Sequence, residues 1–448
     1  MVMMENERSE KFIAQAIGQV RAIVLIPIYY GQKCEKISSK HSLSSRVKEA
    51  LGLARAIRLD IVYYETINII TPRPSTLFGT GKVETFAYYI SKHHISLVIV
   101  DHFLTPVQQR NLEKSWSCKV IDRTALILEI FGDRARTKEG ILQVELAHLS
   151  YQKSRLVRSW THLERQRGGS GFLGGPGETQ IEADRRILQN KINRIRCELE
   201  TVVRTRALHR ANRKKIPHPV VALVGYTNTG KSTLFNCLSG ADVLTKDMLF
   251  ATLDPTLRKI ILPHEQAILL SDTVGFISNL PTHLIAAFRA TLEEVIEADL
   301  ILHVKDISDP DHCAHAQDVL ETLSSLGINT GNTDHIVEVW NKIDILDEHA
   351  LSVLQTSAKT LSNPALMVSA LTGKGLDQLL ETIEKRIFGE TQSVEFILKP
   401  DEMLLIDWFY KNSAQIKQEG HDDGSVTIRA VLTNEAKKRL DQIKQNMH

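Results

Sequence analysis

The sequence lacks the features of a secreted, zinc-binding or membrane-spanning protein. Its five cysteines form no C-x-x-C pair and are odd in number, which favours free thiols in a reducing compartment and argues against structural zinc. No run approaches about 18 uninterrupted apolar residues, so no transmembrane helix is expected. The first ten residues are polar and acidic, unlike a signal peptide. We expect a cytoplasmic protein with no integral membrane segment, which leaves room for partial peripheral membrane association.

The net charge of +2 conceals an uneven distribution along the 448 residues. Residues 151–215 contain 16 Lys and Arg against 6 Asp and Glu, a local balance of +10, so the rest of the chain carries −8. Positive charge concentrated in one segment is typical of a surface that binds a polyanion.

One eight-residue run matches the phosphate-binding loop pattern G-x-x-x-x-G-K-[ST]. It follows a β-branched segment at residues 220–224 and precedes a helical pattern, so strand, loop and helix come in the required order. Glycines let backbone N–H groups turn inward around an anion, and the helix N-terminus adds positive potential. Within the run, a lysine would reach the β- and γ-phosphates and a serine would bind Mg²⁺. The run comprises Gly225, Tyr226, Thr227, Asn228, Thr229, Gly230, Lys231 and Ser232.

Two further segments would complete the contacts to Mg²⁺ and the γ-phosphate. Asp272 follows the apolar run 267–270 at a predicted strand end, where it would hold Mg²⁺ through water. Gly275 leaves its N–H free to approach the γ-phosphate. Thr252, in a switch-like loop, is the candidate second direct ligand of Mg²⁺. The segments are Asp272, Thr273, Val274 and Gly275, and Phe250, Ala251, Thr252, Leu253 and Asp254.

The base specificity is predicted from a motif that follows the apolar run 336–340. The carboxylate of Asp344 can accept two hydrogen bonds from guanine, whereas adenine would leave that carboxylate unpaired at a considerable energetic cost. We therefore predict GTP rather than ATP as the ligand. The motif is Asn341, Lys342, Ile343 and Asp344, and a backbone donor to the guanine carbonyl is expected from Ser369, Ala370 and Leu371.

Phe276 occupies the position at which Ras-like GTPases place a glutamine to orient the attacking water. A phenylalanine cannot align a water, and the simpler interpretation that it packs in the core leaves the same deficit. The catalytic group therefore stays unassigned. We predict slow hydrolysis by the protein alone and faster hydrolysis when a partner orders the switch loops.

Two heptad series predict long helices on either side of the glycine-rich loop 168–177. An antiparallel helical hairpin across residues 136–215 is expected, and a helix of about 25 residues would extend its tip roughly 40 Å. The alternative is a helix pair folded onto a neighbour with a solvated charged face. Clustered arginines favour RNA, because a guanidinium pairs with phosphate through a planar fork. These arginines are Arg185, Arg186, Arg194, Arg196, Arg204, Arg206, Arg210 and Arg213.

The remaining patterns predict an α/β multidomain protein. Residues 1–135 alternate apolar strands with helices and indicate a small α/β domain with a parallel sheet. Residues 218–388 form the predicted GTPase domain, and residues 392–448 a compact α+β domain with strands at 394–398 and 425–432 and a helix at 403–410 between them. The element Gly79-Thr80-Gly81-Lys82 lacks the first glycine of a phosphate loop and a preceding strand, so a structural turn is favoured over a second nucleotide site.

With these motifs in order, the sequence resembles the HflX family of translational GTPases over nearly its full length. The most specific match is residues 165–186, RQRGGSGFLGGPGETQIEADRR, and the stretches FATLDPT and DTVGF also agree. Leu257 and Lys305 depart from the family pattern, and we expect them to alter packing only. The resemblance implies binding of the large ribosomal subunit, with the hairpin tip directed toward the peptidyl-transferase region, and GTP-dependent splitting of stalled ribosomes. It also implies hydrolysis that ribosomes stimulate.

Three functions remain open from the sequence. They are ribosome splitting and rescue under stress, a role in ribosome assembly or RNA modification, and a nucleotide-dependent interaction switch that does not act on ribosomes. The basic hairpin favours RNA over a membrane, because no amphipathic helix with aromatic anchors is evident. We expect a monomer, and we expect no DNA partner.

Changing Asp344 to Asn should move base preference from guanine toward xanthine, because an amide can donate a hydrogen bond to the 2-carbonyl of xanthine. Equilibrium binding of guanine and xanthine nucleotides to the parent protein and the variant checks this. Unchanged affinity for both bases would contradict the pocket assignment.

Overall fold

Three β-sheets organise the protein in a computed structural model. Its described residues are 20–29, 41–159, 176–213, 218–240, 249–278, 289–331, 335–360, 364–389, 391–398, 402–403, 405–421, 425–433, 439–440 and 443. Two of the sheets are built on parallel strands and the third is antiparallel.

The first sheet has four parallel strands in the order β2-β1-β3-β4. Its strands are β1 (Arg21–Tyr29), β2 (Asp60–Ile69), β3 (Leu97–Val100) and β4 (Lys119–Asp122). The helices are α1 (Leu43–Ala56), α2 (Thr80–His93), α3 (Pro106–Trp116) and α4 (Arg123–Arg134). Alternate residues of β1 enter two different apolar clusters, because both faces of a parallel sheet are covered.

The element at residues 79–82 is the start of α2, with Gly79 at the N-cap. Lys82 Nζ lies 2.5 Å from Glu65 Oε1 on the neighbouring strand, and a Cβ on Gly79 or Gly81 would contact nothing within 4 Å. These features support the structural interpretation of this element.

Two long helices follow, α5 (Lys138–Ser159) and α6 (Pro176–Arg213). Apolar side chains of the predicted heptad series pack together between them, and Lys153 donates a hydrogen bond across to Gln189. The buried members are Leu142, Leu149, Leu188, Ile192 and Ile195. Leu163 and most of the loop 168–177 lie outside the described residues, so the predicted tip of the hairpin stays a prediction.

Helix α5 is fixed to the first sheet through one buried carboxylate. Tyr151 Oη donates to Asp122 Oδ1 at 2.7 Å, and Arg155 Nη2 donates to Asp122 Oδ2 at 2.6 Å. Asp122 also caps α4 by accepting from Ala125 N at 2.9 Å. The second half of α5 and the end of β4 therefore share one anchoring residue.

The second sheet has six strands in the order β10-β9-β8-β5-β7-β6, all parallel except β6, which is antiparallel to β7. Its strands are β5 (Val220–Val224), β6 (Thr256–Ile261), β7 (Ala267–Asp272), β8 (Leu300–Asp306), β9 (Ile336–Asn341) and β10 (Leu366–Met367). The helices are α7 (Lys231–Ser239), α8 (Arg289–Ile296), α9 (His312–Ser325), α10 (Glu348–Thr360) and α11 (Leu376–Phe388). The carboxyl ends of the parallel strands meet at one edge, where such sheets bind ligands.

Lys305, one of the two departures from the family pattern, forms an ion pair on this sheet. Its Nζ lies 2.6 Å from Glu338 Oε1 on the adjacent strand. The positive charge of Lys305 is therefore compensated by the carboxylate of Glu338.

The third sheet is antiparallel, in the order β11-β13-β12, and packs against one helix. The elements are β11 (Thr391–Leu398), α12 (Leu405–Asn412), β12 (Ser413–Gly420) and β13 (Val426–Thr433). The predicted α/β multidomain class is confirmed, although strand β12 was not expected. Within the described part of the chain, no helix is long and apolar enough to cross a membrane.

Candidate guanine-nucleotide site

The loop 225–232 joins β5 to α7 and depends on glycine at two close approaches. A Cβ on Gly225 would lie 2.2 Å from the carbonyl oxygen of Val304. Gly230 has a φ of +88°, and its Cβ would lie 2.4 Å from Asn341 Nδ2. Because no other residue adopts these positions without strain, both glycines set the course of the loop.

Lys231 turns its side chain back into this loop. Its Nζ donates to the carbonyl oxygens of Gly225 at 3.1 Å and of Tyr226 at 2.7 Å. Burial lowers the pKa of Lys231 to about 8. A buried ammonium is costly without an anionic partner, so this lysine is suited to neutralising a phosphate bound in the loop.

Three oxygen-bearing side chains predicted to serve Mg²⁺ meet beside the loop. Ser232 Oγ donates to Asp272 Oδ2 at 2.7 Å, Thr252 Oγ1 donates to the same oxygen at 2.9 Å, and the two hydroxyl oxygens are 2.9 Å apart. Burial raises the pKa of Asp272, and its Oδ1 is buried without a partner among the described residues. Hard oxygen atoms in this arrangement fit a magnesium ion.

The predicted base-binding residues are joined to the phosphate loop by Asn341. Its Nδ2 donates to Thr229 O at 2.8 Å, and its Oδ1 accepts from Ala370 N at 3.0 Å. Ser369 Oγ donates to Asp344 Oδ1 at 2.5 Å, which orients the carboxylate that would recognise guanine. Lys342 Nζ lies 2.7 Å from Asp306 Oδ2. The structure thus brings residues more than 100 positions apart in the sequence to one site.

Phe276 lies in the core, with its side chain 3% exposed. Its backbone N–H donates to Gly225 O at 3.1 Å, and its carbonyl accepts from Thr227 N at 2.7 Å. Two backbone hydrogen bonds therefore hold the segment after Asp272 against the phosphate loop. The buried phenyl ring has no group that could orient a water molecule.

The switch-like segment divides between the site and the first sheet. Thr252 contacts Asp272, whereas Phe250 and Leu253 are buried in the core. Phe250 meets Phe131 of α4 edge-on, with ring centroids 4.9 Å apart. Asp254 Oδ2 accepts hydrogen bonds from the backbone N–H groups of Arg136 and Thr137, each at 2.9 Å. Its carboxylate therefore binds the residues just before α5 and not the nucleotide loop. Nucleotide and Mg²⁺ contacts by the residues of this segment, Thr252 included, stay predictions.

A buried polar network that the sequence did not reveal joins the first sheet to the nucleotide loops. Arg123 on α4 pairs with Glu49 on α1 and with Asp101 at 2.6 Å, and these three side chains are at most 10% exposed. Arg123 Nη2 also donates to Ser278 O at 3.0 Å. Tyr226 Oη donates to Glu49, and Ser278 N donates to Tyr226 Oη at 2.7 Å.

The electrostatics of this network favour the ionised forms of its acid and base. Burial opposes ionisation of Glu49, but Arg123 and the hydrogen bonds from Tyr226 and Ser278 hold the pKa of Glu49 below its usual value. Burial and the neighbouring Glu49 raise the pKa of Tyr226, which therefore remains a donor. A tyrosine at a variable position of the phosphate loop was the one sequence signal that could have indicated this contact.

The ring of Tyr226 makes a second contact with the region before α1. It stacks on His315 of α9 with centroids 4.0 Å apart, and His315 stacks on His41 at 5.1 Å. His41 Nε2 lies 2.7 Å from Asp318 Oδ2, which raises the pKa of His41. Tyr226 thus contacts α1 of the first sheet through its hydroxyl and α9 of the GTPase sheet through its ring.

Protein-family models match four consecutive stretches of the chain. The models are described as GTP-binding GTPase N-terminal over residues 44–132, GTP-binding GTPase Middle Region over 134–213, 50S ribosome-binding GTPase over 220–342 and HflX C-terminal domain over 353–447.

Curated relatives match most of the chain. GTPase HflX of Magnetococcus marinus is 46% identical over 403 residues, which is 90% of this chain and 90% of that protein. GTPase HflX of Escherichia coli K12 is 44% identical over 373 residues, 82% of this chain and 85% of that protein. A crystal structure of a GTP-binding protein from Sulfolobus solfataricus in complex with GDP aligns with a TM-score of 0.43 at 24% identity, covering 82% of this chain and 98% of that one.

We predict that Tyr226→Phe lowers the resistance of the protein to urea. The ring stacking is retained, but Glu49 loses a donor and Ser278 N–H loses its acceptor, and each buried unsatisfied group costs about 1–3 kcal/mol. Urea-induced unfolding followed by circular dichroism measures the effect. Tyr88→Phe is the matched control, since Tyr88 is 69% exposed and its hydroxyl loss should be neutral. Equal unfolding midpoints for the two variants would contradict the role of the Tyr226 hydroxyl.

Proposed function

The chain belongs to the HflX family of GTPases, and on that premise we propose that it binds the large ribosomal subunit through the α5–α6 helix pair and separates arrested ribosomes in a GTP-dependent step. It would do so as a cytoplasmic monomer. The match to a family model described as a 50S ribosome-binding GTPase supports ribosome association.

The observation that carries this proposal is the basic solvent face of α6. Leu188, Ile192 and Ile195 turn toward α5, and the cations on the other side of α6 are exposed to solvent. At 1.5 Å per residue, the 38 residues of α6 span roughly 57 Å, so the charges line an extended surface. Arginine pairs with phosphate through two parallel hydrogen bonds, which suits ribosomal RNA. The exposed cations are Arg185, Arg186, Lys191, Arg194, Arg196 and Arg204.

The chain is a GTPase, and we infer the following roles for its residues. Lys231 and the loop N–H groups bind the β- and γ-phosphates. Ser232 and Thr252 hold Mg²⁺ directly and Asp272 does so through water, and the ion would neutralise charge on the phosphates. Because the Ala370 amide already donates to Asn341, the next amide, of Leu371, is the candidate donor to the guanine carbonyl.

A buried Phe276 leaves the hydrolytic water without a side chain from that position. Hydrolysis by the protein alone is therefore expected to be slow. We propose that ribosomal RNA or protein orders the loops around the site, so that the bound nucleotide acts as a timer for the time spent on the ribosome.

Sedimentation of the protein with intact ribosomes and subunits tests this proposal, using GTP, a non-hydrolysable analogue and GDP. Co-migration with large subunits and loss of intact ribosomes in the triphosphate states alone are the expected results. Binding to large subunits without loss of intact ribosomes would favour a role in assembly instead. The absence of ribosome association in every state would remove the proposal.

Replacing Arg185, Arg194 and Arg204 together by Ala should weaken large-subunit binding and reduce its dependence on salt. Each lost phosphate contact lowers the slope of log affinity against log salt by about 0.7–0.9, so a change of roughly 2–3 is expected. The matched control replaces three exposed lysines of the first sheet's helices, Lys48, Lys92 and Lys114, and should leave the slope unchanged. Equal slopes for both triple variants would argue against α6 as the binding surface.

A further inference from the structure

The segment 249–254 connects the candidate magnesium site to the base of the helix pair. Thr252 Oγ1 contacts Asp272 Oδ2 at 2.9 Å and Ser232 Oγ at 2.9 Å. Two residues later, Asp254 accepts hydrogen bonds from the backbone of Arg136 and Thr137 and from the Thr137 hydroxyl. Since two residues span at most about 7 Å, Thr252 and Asp254 are joined by a short connection, and a large shift of Thr252 must move Asp254.

The Asp254 carboxylate lies against the first turn of α5. Thr137 Oγ1 accepts from Gly140 N at 3.0 Å, and the same hydroxyl donates to Asp254. A Cβ on Gly140 would lie 2.5 Å from Asp254 Oδ1, so glycine is what permits this approach. A negative charge at a helix N-terminus is favourable, which makes the contact a specific attachment of the switch-like segment to α5.

The rest of the segment has little freedom to absorb a displacement. Phe250 packs edge-on against Phe131, and Leu253 is 5% exposed. Helix α5 in turn is bound to the first sheet through Tyr151, Arg155 and Asp122. Movement at Thr252 is therefore passed to the helix pair and the first sheet as one body.

We propose that Asp254 is a positioning residue that couples Thr252 to the base of α5. Engagement of Thr252 by magnesium and GTP and the orientation of the α5–α6 pair then depend on each other, because coupling between two sites is reciprocal. Because α5 is also bound to the first sheet at Tyr151 and Arg155, a rotation at its first turn moves the helix pair and the first sheet together. The inference rests on the proposed function in two respects: Thr252 is taken as a ligand of Mg²⁺, and the α5–α6 pair is taken as the element that binds the ribosome.

Two native cysteines allow the coupling to be measured without ribosomes. Cys197 lies exposed on α6 and Cys237 lies exposed on α7 of the GTPase sheet. With the other three cysteines replaced by serine, spin labels at these two positions report the distance between the helix pair and the GTPase sheet by pulsed electron resonance. The protein is compared with GDP and with magnesium and a non-hydrolysable GTP analogue.

The parent protein should show different distances in the two nucleotide states, and Asp254→Ala should show the same distance in both. Asp254→Asn should retain part of the difference, because its amide oxygen can still accept from the two backbone N–H groups. The control Thr105→Ala removes the N-cap of α3, leaves in place every contact of the switch-like segment named above, and should retain the full difference. In equilibrium binding, the affinity of Asp254→Ala for the non-hydrolysable GTP analogue should fall about fivefold or more, with its GDP affinity unchanged.

The proposal is overturned by an unchanged distance in the parent, by a full difference in Asp254→Ala, or by loss of the difference in Thr105→Ala as well. Loss of GDP binding in Asp254→Ala would also overturn it, because Asp254 would then belong to the nucleotide pocket. Ribosome binding is not a readout here. If ribosome association fails while the distances behave as expected, the proposed function fails and the coupling stands.

Discussion

The ion pair between Glu49 and Arg123 is the interaction on which the arrangement of the other elements depends. Taking two charges out of water costs several kcal/mol per ion, and the attraction offsets this only when the remaining hydrogen-bonding capacity is satisfied. Here Asp101 and the Ser278 carbonyl accept hydrogen bonds from the two terminal nitrogens of Arg123, and the hydroxyls of Tyr226 and Ser278 donate to Glu49. Among the described residues, Arg123 Nε has no partner. These partners come from the first sheet, the phosphate loop and the segment after Asp272. These hydrogen bonds form together only when all three are in register, so the network favours this arrangement of the three over others.

The consequence is that the first sheet and its helices contact each mobile element of a GTPase site. In the phosphate loop the contact is made by Tyr226, and in the segment that follows Asp272 it is made by Ser278. In the switch-like segment it is made by Phe250 and Asp254. The helix pair is bound to the same sheet through Asp122. A nucleotide-dependent change in the loops therefore has a direct mechanical route to the surface that carries the exposed arginines. Slow hydrolysis, expected from the buried Phe276, would give that route time to act.

Much of the nucleotide site could be predicted because its parts are short contiguous motifs with fixed order. Strand β1 was also evident, since nine mostly apolar residues in a row indicate a strand covered on both faces. Strand β12, SAQIKQEG, was missed because a polar edge strand has no apolar run. The network of Glu49, Arg123, Tyr226 and Ser278 was missed for a different reason, because its members are far apart in sequence and follow no period. Asp254 was placed near the nucleotide by spacing, but spacing does not determine that its carboxylate turns toward α5.

The central claim, that nucleotide state is transmitted across the boundary between the first sheet and the GTPase sheet, is tested most directly by amide hydrogen exchange. Exchange would be compared between the GDP state and the state with magnesium and a non-hydrolysable GTP analogue. The account predicts altered protection not only at residues 225–232 and 252–254 but also around Glu49 on α1 and at residues 135–140 at the base of α5. Changes confined to the nucleotide loops and residues 341–344 and 369–371, with α1 and the base of α5 unaffected, would contradict it.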